Sequence, residues 1–173
     1  MKKRVVVGIF LLIAAGICFA ADPAEGYWKS VDEKSGDITG GWYIYQKDGK
    51  LYGEIVSAPS VNATTLSAEK KLERYQGFPY AERPGQRAVL GTTWIFGLTP
   101  VKNKPGAWEK GHIIDPNDGS LYQCKITLHT AGTKVGSRTF SVDTLEMRGE
   151  IGLGIGRSQY WLRATEAEAK SVK

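Results

Sequence analysis

Short stretches of alternating apolar and polar residues make up most of the chain, and the period of an amphipathic helix is almost absent. The clearest stretch is 120–129, where apolar side chains recur at every second position. A period of two predicts strands with one buried face and one exposed face. Similar β-rich stretches predict further strands at residues 26–30, 38–46, 51–57, 92–98, 108–114, 145–151 and 158–163.

The turns between these stretches indicate how the strands pair. Asp48-Gly49 separates 38–46 from 51–57, and an Asp-Gly pair between two such runs predicts a β-hairpin. Seven to eight strands with mostly short connections are typical of an antiparallel sandwich or barrel. Glycines within the strands favour strongly bent strands, and therefore the barrel; they are Gly53, Gly97, Gly149 and Gly152. We predict an all-β, antiparallel up-and-down barrel of about eight strands.

Two segments depart from this pattern. In the long connection 58–86, Ser67 is a candidate helix N-cap, so a short helix is predicted at 68–75, followed by a Gly- and Pro-rich loop. The tail from residue 164 is charged and rich in alanine, which fits a frayed helical turn or a disordered end. The predicted domain therefore covers residues 21–163, with a polar tail at 164–173.

The N-terminus predicts an export signal at residues 1–20. Lys2, Lys3 and Arg4 precede an apolar run, and the small residues Cys18 and Ala20 allow cleavage after Ala20. The alternative is a retained membrane anchor, although the run is short of the ~20 residues that a spanning helix needs. We expect a periplasmic or secreted protein with no integral membrane segment after cleavage.

Cleavage would change both the charge and the cysteine content. The whole chain has 23 basic and 18 acidic residues, and loss of three basic ones would leave a net charge of +2 instead of +5. A nearly neutral chain argues against nucleic-acid binding. Only Cys124 would remain, so no intrachain disulfide is expected. The alternation in 120–129 places its thiol on the buried face and His129 on the opposite face.

Motifs that resemble catalytic or metal sites have simpler explanations. Residues 115–119 resemble a calcium loop, but the twelfth position is Ile126 inside a predicted strand, so a turn is expected. Residues 152–156 resemble a phosphate-binding loop, but a strand follows instead of a helix, which favours a hairpin turn. Two histidines make a metal site improbable, and the spacing of Glu54 and Asp115 gives no support to a hydrolase pair. No catalytic residue, metal or cofactor is predicted.

The aromatic residues are the remaining indication of function, because their number is larger than one small core needs. Concave aromatic sites with a few polar groups bind small apolar ligands. The residues expected to line such a site are Trp42, Tyr52, Trp94, Tyr122 and Arg148. The competing interpretation is that the rings simply fill the barrel.

Several motifs, in order along the chain, resemble the bacterial exported family called domain of unknown function 2147. They are GYWKSVD at 26–32, YQKDGKLYGEI at 45–55, WEKGHIIDP at 108–116, MRG at 147–149 and GRSQYWLR at 156–163. The Cys-rich segment that many members carry is absent from residues 58–91 here. The resemblance implies a lipocalin-like barrel and no established activity. It also implies that Gly26 and Trp28 in the first strand meet Arg163, or Arg157, from the last strand and close the barrel.

Three functions remain open at this stage. The first is a carrier or sensor for a small apolar or amphiphilic ligand, with segment 58–86 covering the barrel mouth. The second is an envelope interaction module with a filled barrel. The third, with the least support, is a hydrolase that uses carboxylates.

Overall fold

Residues 21–173 are described by a computed structural model, and the predicted export signal at 1–20 lies outside the described residues. Eight strands close into an antiparallel barrel in which neighbours follow chain order and the last strand pairs with the first, which confirms the predicted barrel. The barrel strands are β1 (Gly26–Val31), β2 (Ile38–Lys47), β3 (Lys50–Ser57), β4 (Thr93–Pro100), β5 (Ala107–Ile114), β6 (Leu121–His129), β9 (Thr144–Glu150) and β10 (Gly156–Ala164). A small separate hairpin, β7 (Lys134–Val135) and β8 (Arg138–Thr139), lies between β6 and β9.

A bulge between β3 and β4 bends the barrel wall. Leu51 lies opposite Leu98 and Gly53 opposite Ile95, so β4 uses one more residue than β3 over this stretch. Gly97, within the bulge, has a φ of 75°, which favours glycine. A Cβ on Gly53 would lie 2.6 Å from Ile44 Cδ1, so the absent side chain lets β2, β3 and β4 pack closely.

The barrel interior carries the core, including the fully buried rings of Trp28 and Trp161. Cys124 is also completely buried, as predicted, and burial raises the pKa of its thiol. His129 makes its side-chain contact with Glu146 on the outer wall, on the face opposite Cys124. The thiol is therefore a small apolar core group.

The connection between β3 and β4, which we call the covering segment (residues 58–92), does not form the helix predicted at 68–75. Its backbone groups are satisfied by tertiary contacts: Ala68 N donates to Pro116 O at 2.8 Å, and Lys70 N donates to the Tyr75 hydroxyl at 2.8 Å. Ser67 Oγ donates to Ala68 O and does not cap a helix. The regular structure that this segment does contain is a short 3-10 helix, Pro84–Gln86.

The C-terminal tail forms the helix α1 (Glu166–Lys170), which docks on the outside of the barrel. Thr165 and Glu168 form a capping box at its start. Ala169 is fully buried, and its carbonyl accepts a hydrogen bond of 2.5 Å from Ser57 Oγ. The tail thus packs against the barrel through this helix.

Within residues 21–173, no helix has the length and apolar character needed to cross a bilayer.

Candidate functional site

A cavity of about 490 Å³ opens at one end of the barrel. It lies where β1, β3, β5 and β9 end and where β2 and β10 begin. The large apolar residues of its wall are Trp42, Ile55, Val89, Ile113, Ile114, Tyr122 and Met147. Gly149 also lines the cavity, and a Cβ there would lie 3.5 Å from Tyr122 Cβ.

One of two stacked indoles, that of Trp42, lines the cavity, and the other, that of Trp161, is fully buried. The rings of Trp42 and Trp161 lie 4.6 Å apart at an angle of 23°. Trp42 Nε1 donates to Ser30 Oγ at 3.3 Å, and Trp161 Nε1 donates to Gln159 Oε1 at 3.1 Å. Because the N–H group of Trp42 has a partner, this indole offers an apolar ring surface to a molecule that enters the cavity.

Polar groups gather at the mouth. Arg157, Asp115 and Asn117 line it, and the guanidinium of Arg157 lies 3.8 Å from a carboxylate oxygen of Asp32. Asp115 Oδ1 accepts a hydrogen bond from the backbone of Asn117 in the turn after β5. The cavity is therefore amphipathic, with an apolar interior and a charged rim.

The opposite end of the barrel is closed by the pair expected from β1 and β10. Arg163 Cζ lies 3.8 Å from the centre of the Trp28 ring, and Trp28 Nε1 donates to Ala24 O at 3.0 Å. The same guanidinium donates to Glu25 O at 2.7 Å and to Pro23 O. A Cβ on Gly26 would lie 3.1 Å from Arg163 Nη1, and its φ of 118° also favours glycine. Arg157 lies at the mouth instead, so the arginine in this contact is Arg163.

Of the five residues expected to line a ligand site, Trp42 and Tyr122 lie in the cavity wall. Tyr52 lies on the outer wall, where its ring stacks on Tyr45 at 5.8 Å. Leu51 and Ile55 occupy the inner face of the same strand, so the strand period turns Tyr52 outwards.

Arg148 and Trp94 also lie outside the cavity. Arg148 Nε donates to Glu150 Oε1 at 2.7 Å on the outer face of β9. Trp94 is fully buried, but its ring stacks on Phe78 of the covering segment at 6.0 Å, and its Nε1 donates to Val89 O at 2.7 Å. The covering segment makes β4 buried on both faces, which is why Trp94 is enclosed without reaching the cavity.

The covering segment also differs from the expected lid. Its first residues and Val89 line the mouth, whereas Phe78 and Tyr80 pack on the outer wall beside Trp94 and Thr93. It therefore frames one side of the opening and leaves the mouth accessible. Sequence reasoning missed Met147 and Ile113 as lining residues, although their alternation along β9 and β5 places both on the inner face.

Two carboxylates on the outer wall, those of Glu54 and Glu146, bear on the hydrolase hypothesis. Glu54 lies on the outer face of β3, where burial raises the pKa of its carboxyl, whereas Asp115 lies at the mouth. Glu146 accepts a hydrogen bond of 2.6 Å from Ser158 Oγ and lies 2.8 Å from His129 Nε2. The carboxylate thus lies between the hydroxyl and the imidazole, whereas a serine hydrolase places the imidazole next to the hydroxyl.

The Glu146 contacts predict part of the acid sensitivity of the fold. Burial raises the pKa of Glu146, but the hydrogen bonds with Ser158 and His129 outweigh it and hold the pKa below the ordinary value of 4.5. The contribution of the ionised Glu146 carboxylate to the free energy of unfolding is complete above pH 4.5. This contribution is lost as the pH falls through the lower pKa that Glu146 has in the folded state. We expect Glu146→Gln to flatten the fall of the thermal midpoint between about pH 5 and pH 3. The matched control is Asp37→Asn at an exposed position, and equal slopes for both variants would contradict the assignment.

Comparisons with known proteins agree with this architecture. Residues 26–163 match the family DUF2147, described as an uncharacterised protein conserved in bacteria. The fold is similar to a solved structure described as protein HP1028 from the human pathogen Helicobacter pylori, which belongs to the lipocalin family. That similarity has a TM-score of 0.57 at 16% identity, over 85% of this chain and 86% of the other. No curated protein matches the chain.

Proposed function

We propose that this chain, which belongs to the DUF2147 family, binds a small, partly apolar molecule in the cavity of its lipocalin-like barrel. The observation that carries the proposal is the cavity itself, because about 490 Å³ is within the range of ligand sites, ~300–1,000 Å³. A barrel whose interior was filled by its own rings would have no such space. The cavity therefore supports binding over an interaction module with a filled interior.

The cavity wall indicates the chemistry of the ligand. The indole of Trp42 and the thioether of Met147 offer broad, polarisable apolar contacts to its body. Arg157 and Asn117 offer hydrogen-bond donors at the mouth, so a polar or anionic end would lie there. The ligand we infer is an amphiphile that enters with its apolar end first. With the export signal expected at 1–20, this role would be that of a carrier or sensor outside the cytoplasm.

The most direct test is native mass spectrometry of the protein purified from its own host. A co-purifying molecule of a few hundred daltons, released by denaturation, is the expected result, since a 490 Å³ cavity holds a molecule of about that size. Repeated recovery of the bare chain under gentle conditions would count against the proposal.

A cavity-filling variant tests the location of the site. The probe is N-phenyl-1-naphthylamine, an apolar dye that fluoresces when it leaves water. We expect Gly149→Leu to weaken dye binding about tenfold or more, because the new side chain occupies the space beside Tyr122. Ala58→Phe, which narrows the mouth, should act in the same direction.

The matched control is Thr127→Leu, which adds the same side chain to the outer wall of β6 at an exposed position. It should bind the dye as the parent protein does. Equal affinity of the dye for Gly149→Leu and Thr127→Leu, with both folded by circular dichroism, would place dye binding outside this cavity.

A further inference from the structure

The turn between β9 and β10 exposes three large apolar side chains beside the cavity mouth. Leu153 is fully exposed, and Ile151 and Ile155 are 72% and 62% exposed. We call this turn, residues 151–155, the apolar tip. Ile151 and Ile155 also line the cavity, so the exposed apolar surface continues directly into the proposed binding site.

The apolar tip has a defined conformation. Ile151 N donates to Ile155 O at 2.9 Å, Ile155 N donates to Gly152 O at 2.9 Å, and Arg148 Nη2 donates to Gly154 O at 2.8 Å. Leu153 has a φ of 50°, in the left-handed region that leucine rarely adopts. The backbone therefore holds an aliphatic side chain in water at the outermost position of the turn, where it packs against nothing in residues 21–173.

Positive charge lies next to the tip. A shallow groove on its outer side brings together Arg138, Arg148 and Arg157. Each guanidinium has a carboxylate neighbour that is less exposed than itself. Arg138 is 50% exposed beside Glu33 at 26%, Arg148 is 33% exposed beside Glu150 at 7%, and Arg157 is 57% exposed beside Asp32 at 36%. In each of these pairs the guanidinium is therefore the partner more available to an anionic group in solvent.

We propose that the apolar tip docks the barrel on an anionic lipid surface, so that the cavity mouth faces the membrane. Aliphatic side chains at the outermost position suit insertion between lipid tails, and arginines behind them suit the phosphate groups of anionic lipids. This deepens the proposed function, on which it rests for the identity of the cargo, because an amphiphile could pass between bilayer and cavity without crossing open water.

The first experiment places a reporter on the tip. All five native tryptophans are buried or nearly so, which makes an exposed new indole distinguishable. We expect the emission of Leu153→Trp to shift to shorter wavelength by about 10 nm or more on mixing with phosphatidylglycerol vesicles, because the indole leaves water for the bilayer interface. The matched control is Leu72→Trp, since Leu72 is 98% exposed on the covering segment. Its emission should not shift, and an unshifted or equally shifted Leu153→Trp would overturn the proposal.

The second experiment measures docking by co-sedimentation with the same vesicles. Leu153→Asp should reduce vesicle-bound protein at least tenfold relative to Leu72→Asp, and phosphatidylcholine vesicles should retain less of the parent protein than phosphatidylglycerol vesicles. Equal sedimentation of the two variants would contradict docking through the tip. A concentration-dependent dimer that Leu153→Asp abolishes, without vesicle binding by the parent, would assign the tip to a second copy of the chain and overturn the proposal.

The two proposals fail separately. Leu153→Asp should still bind N-phenyl-1-naphthylamine in solution, because the cavity wall is intact, whereas Gly149→Leu should still sediment with vesicles. If the parent protein docks on vesicles but does not bind the dye, the ligand site is contradicted and the docking surface stands. If the parent protein binds the dye but does not dock, the docking surface is contradicted and the ligand site stands.

Discussion

Replacing Trp28 with alanine is expected to lower the free energy of unfolding by about 3–5 kcal/mol, the usual cost of removing a large buried aromatic side chain. Trp28 is fully buried at the closed end of the barrel, where it contacts the guanidinium of Arg163 and donates to Ala24 O. Its loss would leave a cavity and release the N-terminal segment that covers this end. The thermal midpoint should fall by roughly 10 °C.

Two further variants separate the contributions of the ring and the charge. Trp28→Phe keeps an aromatic face but loses the Nε1 hydrogen bond, so it should cost less than alanine. Arg163→Lys keeps the charge but loses the planar group that stacks on the indole and reaches Glu25 O. A double-mutant cycle between Trp28→Ala and Arg163→Ala should give a coupling of about 0.5–2 kcal/mol. An unchanged melting temperature in Trp28→Ala would remove this assignment.

The second large effect is expected at Gly41, where β2 meets the C-terminal helix. A Cβ at this position would lie 1.7 Å from the carbonyl oxygen of Ala169, so Gly41→Ala cannot coexist with α1 in its docked position. We expect α1 to detach, which exposes Ala169 and breaks its hydrogen bond with Ser57. The expected cost is about 1–3 kcal/mol, measured by urea unfolding, together with rapid proteolysis after residue 164.

Truncation identifies the cause. In a chain that ends at residue 164, Gly41→Ala should cost little, because Ala169 is gone and the remaining close neighbour, Ser57 Oγ at 2.9 Å, is a side-chain atom that can rotate away. The neighbouring substitution Gly40→Ala meets Ser30 Oγ at 3.3 Å, a milder contact, and should leave the tail protected. Equal destabilisation by Gly41→Ala in the full and truncated chains would show that the strand itself, and not the helix, requires glycine.

Most of the fold was predictable because a strand with one buried face produces an alternating pattern of apolar and polar residues within a few positions of the sequence. Alternation, β-rich composition and turn residues together located the eight barrel strands, and the period of two placed Cys124 inside and His129 outside. Applied strictly, the same rule would have turned Tyr52 and Arg148 outwards, since each directly follows a buried residue, Leu51 or Met147, in its strand. Those two expectations put too much weight on residue type and too little on strand parity.

Other features have no local signature. Trp94 lies in a run of apolar residues that points to both faces of β4, and only the covering segment decides that its ring packs outside the cavity. The helix expected at 68–75 is replaced by contacts with Pro116 and Gly119, far along the chain. Turn-forming and helix-capping residues reflect the conformational preference of a short segment. Tertiary hydrogen bonds similar in strength to those of a helix can override that preference.

By itself, the sequence determined the all-β class, a barrel of about eight strands, the hairpin at Asp48-Gly49 and the burial of Cys124, because each depends on spacing within a few residues. The tertiary structure alone decided that the barrel keeps an open cavity instead of filling it, that the tail docks as a helix, and that the apolar tip stands at the mouth. These features depend on how closely strands approach at glycines and bulges and on which distant segments meet. Such distances arise only when the barrel closes.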